Sequence, residues 1–237
     1  MPTPVVDVAE YCRAIETYLC QKNDGHLIRV VGPSFEVVSK WAAAGVPVKV
    51  TFAGIDRYFE RYYRGGPRRR PVRIDFCEPD VLDVFDEWRR ATGVTNAAAS
   101  GAEGHTSRRG PSLPEHLERV VLRLTNARAT GALGAEADPL IDSLSGELDL
   151  VRARLGGVRG EARKATLERL AAADMALMSC ASRALSGDTR AAMEREAVEE
   201  LAAFRDSMPP DAFNRAREAA LHHLVRTRLG LPTIAFS

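Results

Sequence analysis

The chain has 237 residues, of which 45% are hydrophobic and 27% are charged, and its formal net charge is +1. That length is enough for two modest hydrophobic cores or one large core. The near-neutral charge excludes a field of the whole protein that draws it to nucleic acid or to a membrane, so any such attraction must be local.

The N-terminal residues have neither a basic start nor an apolar run, so the sequence predicts no signal peptide. No apolar run approaches the roughly 20 residues that a membrane-spanning helix needs. The sequence therefore predicts a soluble, cytoplasmic protein with no membrane partner. Its four cysteines form no Cys-x-x-Cys pair, which is typical of reduced thiols in that compartment.

Three helices are predicted in the first 63 residues. The first begins at Asp7, whose side chain starts a capping box with Glu10. A run at residues 26–31 is either a short strand or a turn of helix, and a second helix then ends at Gly45, where a left-handed cap is expected. The third helix contains Gly54, which costs about 1 kcal/mol in a helix interior and indicates that a neighbouring helix approaches closely there.

A strand and a fourth helix follow the loop at residues 64–71. Apolar and charged residues alternate from Val72 to Phe76, which is the period of a half-buried strand. Pro79 then starts a helix that ends near Gly93. This order favours a small winged-helix-like domain with a minor β element over residues 1–93, in which the arginine-rich loop would be the wing.

The composition changes at residues 94–112, where Ala, Gly, Ser, Thr and Asn dominate. Such a stretch buries too little surface to offset its ordering entropy, so it is interpreted as a flexible linker. Helical periodicity resumes at the capping box of Ser112 and Glu115 and gives five helices with short loops, so residues 113–237 are predicted to form an antiparallel helical bundle. The apolar residues 231–237 are expected to pack on this bundle rather than in a partner's groove.

Arginine is concentrated between residues 57 and 73, where seven arginines stand against one acid, Glu60. Clustered guanidinium groups on an exposed loop suit phosphate contacts, and Tyr63 is free of the apolar stripe for surface contact. The predicted nucleic-acid-binding residues are Arg57, Arg61, Tyr63, Arg64, Arg68, Arg69, Arg70 and Arg73. The alternative is internal pairing of these arginines with the acidic run that follows, which includes Asp80, Asp83 and Glu87.

The stretch from Trp41 through Gly45 to Phe59 resembles the helical modules of DnaD-like primosome proteins, with a Trp-containing helix, a Gly turn and a second amphipathic helix. The resemblance covers residues 35–88. It implies that Trp41, Gly45, Ile55 and Phe59 are architectural and that the module binds DNA or partner replication proteins. The triple arginine does not belong to the family pattern.

The motifs of nucleotide, metal and hydrolase sites are missing from the sequence, so it predicts no enzyme, no catalytic residue, no cofactor and no metal. Glu218 and His222 are four residues apart, but without a third ligand they are interpreted as a surface pair. The first hypothesis is a non-enzymatic nucleic-acid-associated adaptor in DNA replication or its regulation, which binds DNA or RNA through the basic loop and a protein partner or second copy through the bundle. The alternative is a protein–protein interaction module with no nucleic-acid role.

Overall fold

The structure is a computed structural model, and it describes residues 7–64, 66, 71–94, 112–154 and 160–236. Nine α-helices lie in these ranges, at the places where the hydrophobic pattern predicts them. They are α1 (Val8–Lys22), α2 (Pro33–Ala43), α3 (Val48–Tyr63), α4 (Glu78–Thr92), α5 (Leu113–Ala129), α6 (Asp138–Arg154), α7 (Glu161–Ala184), α8 (Gly187–Glu200) and α9 (Pro210–Leu229). The prediction of a mainly helical protein is confirmed. The predicted flexible linker lies almost wholly outside the described residues.

The helix ends follow from their capping residues. The Asp7 carboxylate accepts the backbone N–H of Ala9 at 2.9 Å and so satisfies one of the unpaired donors at the start of α1. Ser112 and Glu115 form a full capping box at the start of α5. Gly45 has a φ of +74°, which is the left-handed conformation predicted for the end of α2.

The chain divides into two compact units. Of the described residues, the first unit holds 7–94 and 198–220, and the second holds 112–197 and 221–236. Residues 198–220, which the sequence places with the C-terminal bundle, therefore count with the N-terminal helices. Phe204 shows why, because its ring lies 5.9 Å from that of Trp88 in α4.

The first unit is organised around the contact between α3 and α4. Gly54 of α3 is buried against α4, and a Cβ atom at that position would lie 2.5 Å from the Cα atom of Val81. Only glycine permits this approach of two helix backbones. The close neighbour that the sequence indicated is thus α4, and the helix-propensity cost of Gly54 is offset by packing.

The predicted strand from Val72 to Phe76 is not formed. Val72 and Arg73 are an extended connection, and a 3-10 turn follows at Ile74–Cys77. Ile74 and Cys77 are fully buried while Phe76 is 56% exposed, so the buried positions recur every three residues rather than every two. A winged-helix domain with a β element is therefore not supported, and no strand lies in the described ranges.

Polar side chains replace the strand partners that these extended segments lack. The buried amide of Asn23 accepts the Val72 N–H at 2.7 Å and donates to the Val72 carbonyl at 3.0 Å. Residues 26–31, predicted as a strand or a turn of helix, are neither, and the Val30 N–H in this connection donates to Glu16 at 2.7 Å. Neither segment therefore needs a β-ladder to satisfy its buried backbone groups.

The second unit is a helical bundle with one continuous apolar core. Helix α6 packs against both α5 and α7. Helices α5, α6 and α7 each contribute a stripe of fully buried side chains at helical spacing. Examples are Leu117 and Leu124 from α5, Ile141 and Leu148 from α6, and Leu170 and Leu177 from α7.

We expect the change Gly54→Ala to lower the free energy of unfolding by roughly 1–3 kcal/mol, because the added methyl group meets the backbone of Val81 and the two helices must move apart. Urea denaturation followed by circular dichroism measures the effect. Gly146→Ala in α6 is the matched control, since a Cβ atom there meets nothing within 4 Å. That change should raise stability by about 0.5–1 kcal/mol. Equal stability of Gly54→Ala and the wild type would contradict the packing argument.

Candidate functional site

The predicted arginine surface begins on α3, where Arg57 faces α4. Its guanidinium group donates two hydrogen bonds to the carboxylate of Glu87, at 3.0 and 2.6 Å. This fork geometry is the strongest that an Arg–carboxylate pair adopts. The Glu87 hydrogen bonds raise the pKa of Arg57 above its already high ordinary value. Arg57 is therefore bonded within its own unit.

Arg61 and Arg73 are also bonded to carboxylates of the same unit, each by a single hydrogen bond. Arg61 donates to Asp80 at 2.6 Å, and Arg73 donates to Asp75 at 2.8 Å. The Asp80 side chain is only 6% exposed, whereas that of Arg61 is 61% exposed. The Arg61 guanidinium thus neutralises a nearly buried carboxylate while its outer face stays in solvent.

The remaining members of the predicted set divide into described and undescribed residues. Arg64 is exposed and forms no ion pair with a described residue, and the adjacent Tyr63 is 39% exposed. Arg68, Arg69 and Arg70 lie outside the described residues. Of the four described arginines in the set, three are therefore paired with carboxylates of the same unit.

The thiol of Cys77, close to Asp80, belongs to the hydrophobic core of the first unit. Cys77 is fully buried, and burial raises the pKa of its thiol to about 12, with the nearby Asp80 carboxylate acting in the same direction. Because the thiolate is the reactive form, this cysteine is protected from ordinary thiol chemistry. Cys12 is also buried, as its place on the apolar face of the first helix predicts.

A second feature of the first unit is a group of exposed apolar side chains that the sequence did not reveal. We define the apolar surface as Leu27, Val31, Phe35 and Phe76, which are 72%, 63%, 45% and 56% exposed. The alternation from Val72 to Phe76 placed Phe76 on the buried face of a strand, and that prediction is wrong. No signal in the hydrophobic pattern distinguishes these positions from core positions.

One hydrogen bond connects the two parts of the apolar surface. The Ser34 hydroxyl donates to Asp75 at 2.6 Å, so the start of α2 is held against the 3-10 turn. Phe35 and Phe76 each directly follow one of these bonded residues. In the preceding segment Leu27, Arg29 and Val31 are exposed while Val30 is buried, so a cation lies between two exposed apolar side chains. Arg29 forms no ion pair with another described residue.

In the second unit, the segment after α9 packs on the bundle, as the sequence predicts. Leu231 and Ile234 are buried, and Asp174, Arg226 and His116 contact the backbone of the segment. These three residues were not singled out from the sequence. Asp174 could have been noticed from the sequence, because it lies four residues after Leu170 and three before Leu177, on the apolar stripe of α7. A carboxylate on such a stripe indicates a buried hydrogen-bonding role.

Comparison of the chain with protein-family models, with curated proteins and with solved structures gave no match. The resemblance to DnaD-like modules therefore stays a prediction. Within the described ranges, no helix is both long enough and apolar enough to cross a bilayer.

We expect Arg61→Ala to lower the free energy of unfolding by roughly 1–2 kcal/mol, because it leaves the nearly buried Asp80 carboxylate without its charged partner. Arg57→Ala is the matched control, since both members of that pair are about half exposed and the loss should stay below about 1 kcal/mol. Chemical denaturation of Arg61→Ala, of Asp80→Asn and of the variant with both changes gives the coupling energy between Arg61 and Asp80. The same measurement on Arg57→Ala gives the control value. A coupling near zero for Arg61 and Asp80 would show that the pair is not structural.

Proposed function

We propose that this chain is a non-catalytic protein–protein interaction module whose first unit binds a partner through the apolar surface. The observation that carries the proposal is the exposure of Phe35 and Phe76, which follow the hydrogen-bonded Ser34 and Asp75, and of Leu27 and Val31 in the segment before α2. Groups of exposed large apolar side chains on a folded protein typically mark contact sites for other proteins. The neighbouring arginines support it, since their pairing with Glu87, Asp80 and Asp75 reduces the charge that they offer to phosphate.

The charge at this surface indicates the chemistry of the partner. Arg29 stands between Leu27 and Val31 and has no carboxylate partner among the described residues. A partner that covers the two apolar side chains therefore has to satisfy the guanidinium group or leave it in solvent at the rim. We infer a protein segment that presents apolar side chains with an acidic residue between them or beside them.

Site-specific photocrosslinking in the source cells tests this proposal. A photoreactive amino acid at position 35 and, separately, at position 76 should give an adduct with the same partner protein. The same label at Leu150 of α6, which is 59% exposed in the second unit, should not give that adduct. The change Arg29→Glu should reduce the adduct about ten-fold, because it reverses the charge that the partner's carboxylate meets.

Two outcomes would overturn the proposal. One is an identical adduct from the Leu150 label, which would show that capture does not depend on the apolar surface. The other is an adduct of twice the chain's mass from positions 35 and 76, which would identify a second copy as the occupant.

A second candidate is the nucleic-acid-associated adaptor, in the replication role that the DnaD-like resemblance implies. The observation that favours it is the adjacent exposure of Tyr63 and Arg64 at the end of α3, directly before the loop that carries three further arginines in the sequence. An exposed aromatic ring next to a guanidinium group suits base stacking with phosphate contact.

Fluorescence anisotropy with labelled single-stranded and duplex DNA and with RNA tests this candidate. If the loop binds phosphates, changing Arg68, Arg69 and Arg70 to Ala should weaken binding at least ten-fold and lower the salt dependence by about one counterion for each lost contact. Arg57→Ala is the control, because its guanidinium group is held by Glu87 and should contribute little. Equal affinity before and after the triple change would exclude the loop as a phosphate site.

A further inference from the structure

The segment Leu231–Phe236 is held in the second unit like a bound peptide. It has no secondary structure, yet Leu231 is 3% exposed and Ile234 is fully buried. Both side chains belong to the apolar core of the bundle. An extended chain whose alternate or spaced apolar side chains enter a helical surface is a common mode of peptide recognition.

Side chains of three different helices bind the backbone of this segment. The Asp174 carboxylate in α7 accepts the Ile234 N–H at 2.7 Å and the Ala235 N–H at 3.4 Å. Arg226 in α9 donates to the Pro232 carbonyl at 2.5 Å, and His116 in α5 donates to the Ile234 carbonyl at 3.2 Å. The ring of Phe236 also lies 5.2 Å from that of His116. We name these three side chains and the pockets for Leu231 and Ile234 the peptide groove.

Two of the polar groups of the peptide groove also bond each other. Arg226 donates to Asp174 at 2.6 Å, and the two side chains are 13% and 15% exposed. If the segment leaves, Asp174 therefore keeps its charged partner and does not become an unpaired buried charge. A preformed ion pair of this kind lowers the cost of binding a new peptide.

The segment is joined to α9 through a single glycine turn. Gly230 has a φ of +65°, and α9 is already closed by the bond from the Leu231 N–H to the Arg226 carbonyl at 2.9 Å. Gly230 has no Cβ atom, so rotation there can release the segment at the cost of this one terminal hydrogen bond, and the hydrogen bonds inside α9 stay intact.

We propose that the peptide groove is a binding site for an extended segment of a partner protein with the pattern Leu-Pro-x-Ile, and that residues 231–236 occupy it as an internal ligand. The proposal goes beyond the function proposed for the first unit, because it uses none of the residues of the apolar surface. Because residues 231–236 are tethered to the groove, they compete with a partner's segment at a high effective concentration. The partner's segment can bind only when residues 231–236 have left the groove.

A partner protein is favoured over a second copy by the charges at the end of α9. The last turn of this helix carries Arg226 and Arg228, and Arg228 is exposed. Exchange of segments between two copies would bring the ends of two α9 helices together, because Gly230 allows only a short connection. The two exposed arginines would then repel each other.

Titration of a labelled peptide with the sequence of residues 229–236 into the full chain tests the proposal by fluorescence anisotropy. The chain carrying Ile234→Asp cannot seat its own segment, and we expect it to bind the peptide at least ten-fold more tightly than the wild-type chain. Adding Asp174→Ala to this variant should weaken peptide binding at least ten-fold, because the two backbone N–H groups lose a charged acceptor. A peptide that carries Asp at the Ile position should not bind.

Two further measurements keep the test decisive if Ile234→Asp unfolds the bundle. Phe236→Ala retains both buried side chains and removes a partly buried ring that packs on the core and against His116, and it should still raise affinity for the peptide about three-fold. In a nuclear magnetic resonance spectrum of the ¹⁵N-labelled wild-type chain, a saturating amount of unlabelled peptide should move the amide resonance of Ile234. Its new position should be that of an amide in an unstructured chain, because the segment has left the groove.

Three results would overturn the proposal. Folded variants with no gain in peptide affinity would show that residues 231–236 do not compete with a free peptide for the groove. Binding that does not depend on Asp174 would place the peptide elsewhere. A concentration-dependent dimer of the wild-type chain that dissociates when free peptide is added would show that a second copy occupies the peptide groove.

Discussion

The first unit depends on the contact of α3 and α4 at Gly54, where a Cβ atom would collide with the backbone of Val81. The close approach brings α3 within reach of the carboxylates on α4. Arg57 and Arg61 follow Gly54 on α3 by three and seven residues, and they bond Glu87 and Asp80 of α4. A steric constraint at one glycine thus decides the electrostatic state of a surface that the sequence presents as strongly basic.

Internal pairing changes what the arginine cluster offers to a partner. Exposed ion pairs contribute little stability and can exchange with outside anions, but a phosphate has to displace a carboxylate to reach Arg57 or Arg73. Arg64 carries no such competitor among the described residues. The side chains of the apolar surface are left exposed by the residues that the structure describes, and their exposure is therefore the clearer mark of an interaction in the first unit.

Extended segments in this helical protein are held by side chains rather than by strands. Asn23 bonds both backbone groups of Val72, and Asp174 with Arg226 and His116 bonds the backbone of residues 232–235. The physical requirement is the same in both units, because buried N–H and carbonyl groups need partners whether or not a ladder is present.

The sequence by itself determined the nine helices and several of their ends, because helical periodicity and capping residues such as Ser112 act locally. It also indicated the close approach at Gly54 and the concentration of arginines. It could not determine that Val72 to Phe76 is a turn, since alternation over five residues does not show whether a neighbouring strand exists. Only the tertiary structure decided which carboxylates bond Arg57, Arg61 and Arg73, that Phe35 and Phe76 face solvent, and that Asp174 holds residues 234 and 235. Each of these contacts joins residues far apart in the chain, and the hydrophobic pattern contains no information on which distant residues meet.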